Sequence, residues 1–111
     1  MTIINLEAGM PPVEEACARL NQHLRTARVA RERAVKIIHG YGSTGQGGAI
    51  KTAVRRLLAQ KKRQGQIADY VGGEDFSPFC EDSRRMMARL PSLATDRDYC
   101  RGNDGITVVL L

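Results

Sequence analysis

Chemistry is most readily placed in the run His39-Gly40-Tyr41-Gly42-Ser43-Thr44-Gly45-Gln46-Gly47-Gly48. Five glycines fall in the nine residues from Gly40 to Gly48, and such a loop can take positive φ angles and let a ligand approach its backbone. The apolar residues Ile37 and Ile38 lead into it and a basic helix follows. The first amides of that helix, with Lys51, Arg55 and Arg56 close behind, make a seat for a phosphate group. Nucleic acid is the first partner this implies, and a glycine turn with a purely structural job is the competing reading.

The loop departs from the common nucleotide fingerprints. A Walker-type loop needs Lys-Ser or Lys-Thr after its last glycine, and none follows Gly48. The spacing G-x-G-x-x-G occurs at Gly40, Gly42 and Gly45, but no acidic residue closes a second strand about 20 residues on to hold a ribose. His39 stands where strand gives way to loop, so its ring is expected to meet substrate, as catalyst or phosphate contact, with a charge that changes near neutral pH. The alternative is a histidine that fixes the loop's own backbone. His23, between Leu20 and Leu24, reads as a surface residue of a helix. Phosphodiester cleavage requires a base or metal-bound water, a leaving-group acid and charge stabilisation. One histidine among basic residues supplies only part of that set.

Charge is segregated along the chain. From Arg19 to Arg63 there are twelve Lys or Arg against one acid, Glu32, a formal +11; the remainder has five bases and eleven acids, −6, and the chain is +5 in all. Such a block is the footprint of a phosphate-backbone binder, with Arg55, Arg56, Lys61, Lys62 and Arg63 extending the contact beyond the loop. A solvated basic face is the plainer reading. At 111 residues the chain suits one domain with a modest core. Without a long apolar run or a basic leader at Met1 to Glu7, it is expected to be soluble and cytoplasmic, with no membrane partner. Cys17, Cys80 and Cys100 form no C-x-x-C pair, which argues against a zinc cluster or a secreted disulfide framework, and Cys17 reads as a small core residue. No cofactor is called for; a divalent metal would enter only with nuclease chemistry.

Positioning the loop requires alternating elements. Ile3, Ile4 and Leu6 read as a first strand, broken by Gly9 and Pro11-Pro12. Val13, Ala16, Cys17, Leu20, Leu24 and Ala27 recur at helical spacing to about Arg28. Val35, Ile37 and Ile38 form a second strand. Ala49, Ile50, Ala53, Val54, Leu57 and Leu58 stripe a second helix that Gly65 ends. Ile67 to Val71 reads as a third strand and Ile106 to Leu111 as a fourth. Between these two, residues 72–105 form an insertion with clustered acids and a short helix from about Asp82 to Leu90. It is expected to dock as a lid, burying Phe76, Phe79, Met86, Met87 and Leu90. The fold class expected is α/β: one domain over residues 1–111, a two-layer α/β sandwich with a mostly parallel four-stranded sheet, in the order β-α-β-α-β-insertion-β.

Three pieces of the sequence carry a family resemblance: Ile37-Ile38-His39-Gly40-Tyr41-Gly42, the helix from Gly48 to Leu58, and the ending Gly105 to Leu111. Together they resemble the Smr domain, the small MutS-related module, over about three quarters of the chain. The resemblance implies a small α/β sandwich, similar in plan to the C-terminal domain of translation initiation factor three, that binds DNA or RNA and in many members nicks or cleaves it. The family's first strand ends in L-D-x-H-G. Here the run is Asn5-Leu6-Glu7-Ala8-Gly9, with Leu6 in the place of the acid and Ala8 in that of the histidine. Glu7 points to the opposite face from its neighbours on a regular strand, so it inherits neither role without a bulge. The family's second motif survives as His39-Gly40-Tyr41-Gly42.

Two functions follow. The preferred one is a nucleic-acid-binding module that holds phosphates with His39, Gly40, Gly42, Ser43, Thr44, Gly45, Gly47, Gly48, Lys51 and the basic residues beyond. The other is an endonuclease of the Smr type whose lost first-strand groups are replaced from elsewhere, with Asp75, Glu81 or Asp82 as acids to complete the set. A protein-interaction adaptor docking through Phe76, Phe79, Met86 and Met87 is a third and weaker reading. No base-reading motif or aromatic platform chooses DNA over RNA.

Overall fold

The computed structural model describes residues 1–41 and 46–111. Strand β1 (Thr2–Asn5) leads through helix α1 (Val13–Val29) to β2 (Ala34–Ile38), and helix α2 (Gln46–Arg63) leads to β3 (Asp69–Gly72). A 3-10 turn (Gly73–Asp75), helix α3 (Glu81–Arg89) and a second 3-10 turn (Pro91–Thr95) precede the closing strand β4 (Ile106–Leu110). The helices begin and end where local chemistry directs. Pro12 caps α1, Glu14 and Glu15 sit in its first turn, and Ala16, Leu20, Leu24 and Ala27 are buried at helical spacing. Cys17 is half-buried at the margin of that stripe rather than inside it. Each fully buried leucine here, Leu20 on α1 or Leu58 on α2, contributes about 1.5–3 kcal/mol of transfer free energy.

Both long helices close with the same backbone device. At the end of α2, Gly65 (φ +73°) lets its own N–H reach Lys62 and that of Gln66 reach Lys61. At the end of α1 the same pair of bonds, Arg31 to Arg28 and Glu32 to Ala27, is made with an arginine at φ +59°. A residue with a Cβ is strained in this region. Arg31→Gly is therefore expected to stabilise the domain by about 0.5–1 kcal/mol, seen as a higher urea midpoint at unchanged slope.

The sheet order is β1-β2-β4-β3. β1 pairs with β2 in parallel, while β4 pairs antiparallel with β2 on one side and with β3 on the other. The sheet is thus mixed and not mostly parallel. The two strand-helix-strand crossovers do set β1, β2 and β3 running in one direction. After β3, however, the chain makes an excursion that returns to the end of the sheet it left, so that Ile106 lies opposite Ile38 and Thr107 opposite Gly72. A strand entering from that end between β2 and β3 can only run antiparallel to both. The third strand also begins two residues later than its apolar pattern indicates, with Ile67 buried in the approach to it.

The two faces of the sheet bury separate cores. Ile4, Val35, Ile37 and Val109 meet α1 and α2, against Leu20, Leu24, Val54 and Leu58. Val71, Ile106, Val108 and Leu110 meet residues 76–99, against Phe76, Met86 and Leu93. The segment therefore adds a third layer to the expected two, docked on the face opposite α1 and α2. Phe76 packs edge-on against Tyr99 with ring centroids 5.2 Å apart. Phe79, expected in this core, is instead 90% exposed, because the turn at Ser77-Pro78 places it on the outside before α3 begins. No described helix is long and apolar enough to cross a membrane.

Candidate nucleic-acid interface

The end of β2 and the start of β4, the two central strands, meet the first turns of α2 at one end of the sheet, in the corner between sheet and helix. The backbone N–H groups of His39 and Gly40 both donate to the carbonyl of Gly105, at 3.0 and 3.1 Å. The entry to the glycine run is thereby clamped to the residue before β4. Gly40 has φ +87°, and a side chain there would come 3.0 Å from Oε1 of Glu7; the absence of a Cβ lets both strand ends approach. Leu6 is fully buried, its N–H bonded to the Ile38 carbonyl at 2.8 Å, whereas Ala8 is exposed.

His39 is fully buried, so its ring is not offered to solvent as the sequence led one to expect. Nδ1 lies 3.0 Å from the Gly40 carbonyl oxygen, which can only accept, so Nδ1 carries the proton. Nε2 then accepts from the Thr107 hydroxyl at 2.8 Å, and the same hydroxyl oxygen accepts from Nε of Arg55 at 3.3 Å. A directed chain Arg55, Thr107, His39, Gly40 results. Burial pushes the His39 pKa down and the neighbouring Arg55 and Lys51 push it further, despite the Gly40 hydrogen bond, so the ring stays neutral at physiological pH. In this geometry His39 positions the loop entry.

The basic residues of α2 fall into groups. Lys51, Arg55 and Lys62 share the flank nearest β3 and β4, and each is paired with a carboxylate of the fold. Lys51 Nζ lies 3.4 Å from Asp104, the Arg55 guanidinium forks on Glu74 at 2.6 and 2.7 Å, and Lys62 Nζ lies 3.0 Å from Asp69. Burial would raise the Glu74 and Asp69 carboxyls, but Arg55 holds the first below its usual range, and Arg85 with Lys62 holds the second. Arg56 and Arg63, seven residues apart, are exposed on the outer side of the helix. Gly47 and Gly48 lie in the first turn of α2, and no acidic residue occurs in that turn to neutralise the helix dipole. Gly42, Ser43, Thr44 and Gly45 lie outside the described residues.

The geometry brings together His39, Gly40, Lys51 and Arg55. It does not bring Lys61, Lys62 and Arg63 to them: at 1.5 Å per residue, Lys61 stands about 20 Å along the helix from Gly48. Among the acids considered for catalysis, Asp82 lies in the first turn of α3, engaged by Arg85 at 2.7 Å, and lines a cavity with Asp75, Glu74 and Arg55. Three partners of this corner, Glu74, Asp104 and Thr107, escape a sequence reading, although Thr107 leaves a trace as the one hydroxyl in the apolar strand Ile106–Leu110.

A mixed four-stranded sheet with helices on its faces and a histidine-glycine turn clamped at the end of its two central strands defines a small α/β domain. A family model described as the Smr domain matches residues 8–74, and this chain belongs to the Smr domain family. Among solved structures it is similar to the Smr domain of Thermus thermophilus MutS2, with a TM-score of 0.61 and 23% identity over 100% of this chain and 98% of that one. That likeness concerns the fold. A search of the curated proteins finds no match.

Proposed function

We propose that this domain binds DNA or RNA through its phosphates, using the amino end of α2 beside the His39-Gly40 turn, with Lys51 one turn further and Arg56 and Arg63 on the outer face. The Smr family is known in general for nucleic-acid binding and nuclease activity. The observation that carries the reading is the acid-free first turn of α2, in a chain whose preceding His39-Gly40 turn is hydrogen-bonded to Gly105 and Thr107. A helix amino end attracts anions through its first amides and its dipole. Lys51 and Arg55 remain able to exchange their carboxylate partners for phosphate, because these pairs are partly exposed and of modest worth.

Affinity measured by fluorescence anisotropy is expected to fall steeply with salt, with a slope of about −0.9 per phosphate on duplex and about −0.7 on single strands. An affinity unchanged between low and moderate salt would remove the electrostatic reading. Cleavage is the second reading, and the proximity of the Glu7 carboxylate to Gly40 is what favours it. A plasmid and structured-RNA nicking assay with and without Mg²⁺ separates the two, and loss of nicking in Glu7→Gln at retained affinity would establish cleavage.

A further inference from the structure

The far end of the helical layer holds a second concentration of positive charge, of a different kind. A cavity of about 240 Å³ lies between α1 and α2, lined by Leu24, Arg25, Arg28, Lys61, Gln66 and Ile67. Arg25 and Arg28 come from α1, three residues apart and so on one face; Lys61 comes from the last turn of α2. Among the described residues no carboxylate lies in salt-bridge range of any of the three. Five others of the basic block, Arg19, Lys36, Lys51, Arg55 and Lys62, have carboxylate partners within the fold; Arg31, Arg33, Arg56 and Arg63 have none among the described residues, but only Arg25, Arg28 and Lys61 converge on this cavity. The one polar partner given to Lys61 is neutral, the side-chain oxygen of Gln66 at 3.3 Å.

Three like charges around one small cavity cost the folded state repulsion that its own residues do not offset. That cost is visible on Lys61, whose ammonium is made less basic by burial and then by Arg25 and Arg28. An anion entering the cavity would relieve all of it at once, and two guanidinium forks with an ammonium suit the oxygens of a phosphate. We infer that the α1–α2 cleft formed by Arg25, Arg28 and Lys61 is a second phosphate site, which takes the backbone of a bound nucleic acid about 20 Å along α2 from the helix's amino end. The inference rests on the nucleic-acid reading above and adds a separate point of contact to it. A backbone engaged at both ends would lie along the helical layer, past the exposed Arg56.

The test compares wild type with R25Q/R28Q/K61Q and with a charge-matched control, R89Q/R97Q/R101Q, taken from exposed positions of residues 73–105. Binding of a duplex and of a single strand is measured across a salt series. The cleft variant is expected to lose roughly tenfold or more in affinity at low salt and to reduce the salt slope by about one for each phosphate released, while the control stays near wild type. Equal behaviour of the two triple variants would overturn the cleft site and leave only net charge. Should wild type bind neither DNA nor RNA, the nucleic-acid reading itself fails, and inorganic phosphate decides the cleft by NMR. Shifts of the Gln66 side-chain amide with phosphate, beyond those with chloride at equal ionic strength and lost in R25Q/R28Q/K61Q, would keep it as a phosphate site. No such difference would overturn it.

Discussion

Replacing Lys36 by methionine is expected to cost the fold about 3–5 kcal/mol, measured as lost unfolding free energy in urea. Lys36 sits mid-strand in β2 opposite Val108, and its side chain is only 4% exposed. Its ammonium donates to both carboxylate oxygens of Asp96, at 3.0 and 3.2 Å, and to Asp98 at 2.7 Å. The two acids are themselves tied, Asp96 accepting the Asp98 backbone N–H at 2.9 Å and Asp98 accepting from Asn103 at 3.1 Å. Burial alone would lower the lysine's pKa, but the two carboxylates more than offset it and leave it raised. Methionine fills the volume and leaves two largely buried carboxylates facing each other. With total stabilities of about 5–15 kcal/mol usual for a domain, the variant would stand near its folding threshold.

The pH dependence tells this mechanism from simple loss of packing. Burial raises the Asp98 carboxyl, but Lys36 and Asn103 hold it below the ordinary value of 3.8. A folded-state pKa below the unfolded one gives stability that is complete above the unfolded pKa and lost as pH falls through the folded one. In Lys36→Met that depression is gone, and protonation relieves the unpaired acids. The gap between wild type and variant should therefore narrow as pH drops below about 4. A gap that stayed constant on further acidification would mean that the lysine's stem, and not its charge, matters.

Much of the scaffold is legible because periodicity is a local property. The stripe Ala16, Leu20, Leu24, Ala27 and the run Val35 to Ile38 each meet a face that the neighbouring residues already define. The pairing of β4 is not local. Nothing in Ile106 to Leu110 distinguishes a parallel from an antiparallel strand; the direction is decided by where residues 73–105 return, and hence by contacts such as Lys36 with Asp96 that join residues 60 apart. The site divides in the same way. Gly40 and the basic helix are readable from residue type, since glycine is the residue that takes positive φ without strain and cations declare their charge wherever they fall. The states of those cations are not readable, because Glu74, Asp104 and Asp69 come to α2 from β3 and its sequel. The sequence counts twelve bases as one block, whereas the fold neutralises one set and crowds Arg25, Arg28 and Lys61 together. The burial of His39 is likewise not readable, because the Thr107 hydroxyl on its second nitrogen comes from 68 positions away.

Gly73→Ala should destabilise the domain by about 3 kcal/mol, a fall in melting temperature of roughly 10 °C or more. Gly73 is buried at the start of the 3-10 turn after β3. A Cβ there would fall within the radius of the Asn103 carbonyl oxygen and lie 2.6 Å from Cγ1 of Ile106. The first obstacle is backbone, which has no rotamer to escape into, so either the turn or the entry to β4 must move. Glu74 is the next residue, and its fork on Arg55 depends on that turn. Its displacement would release Arg55, whose guanidinium would then face the corner uncompensated. Affinity for nucleic acid at low salt is accordingly expected to rise in the folded fraction of Gly73→Ala even as stability falls. Glu74→Gln should raise affinity in the same direction without the steric cost, because it weakens the fork and leaves the turn in place. A melting temperature for Gly73→Ala close to that of wild type would show that the turn yields easily. Unchanged affinity in Glu74→Gln would show that Arg55 acts only through Thr107 and His39, as part of the support for the loop.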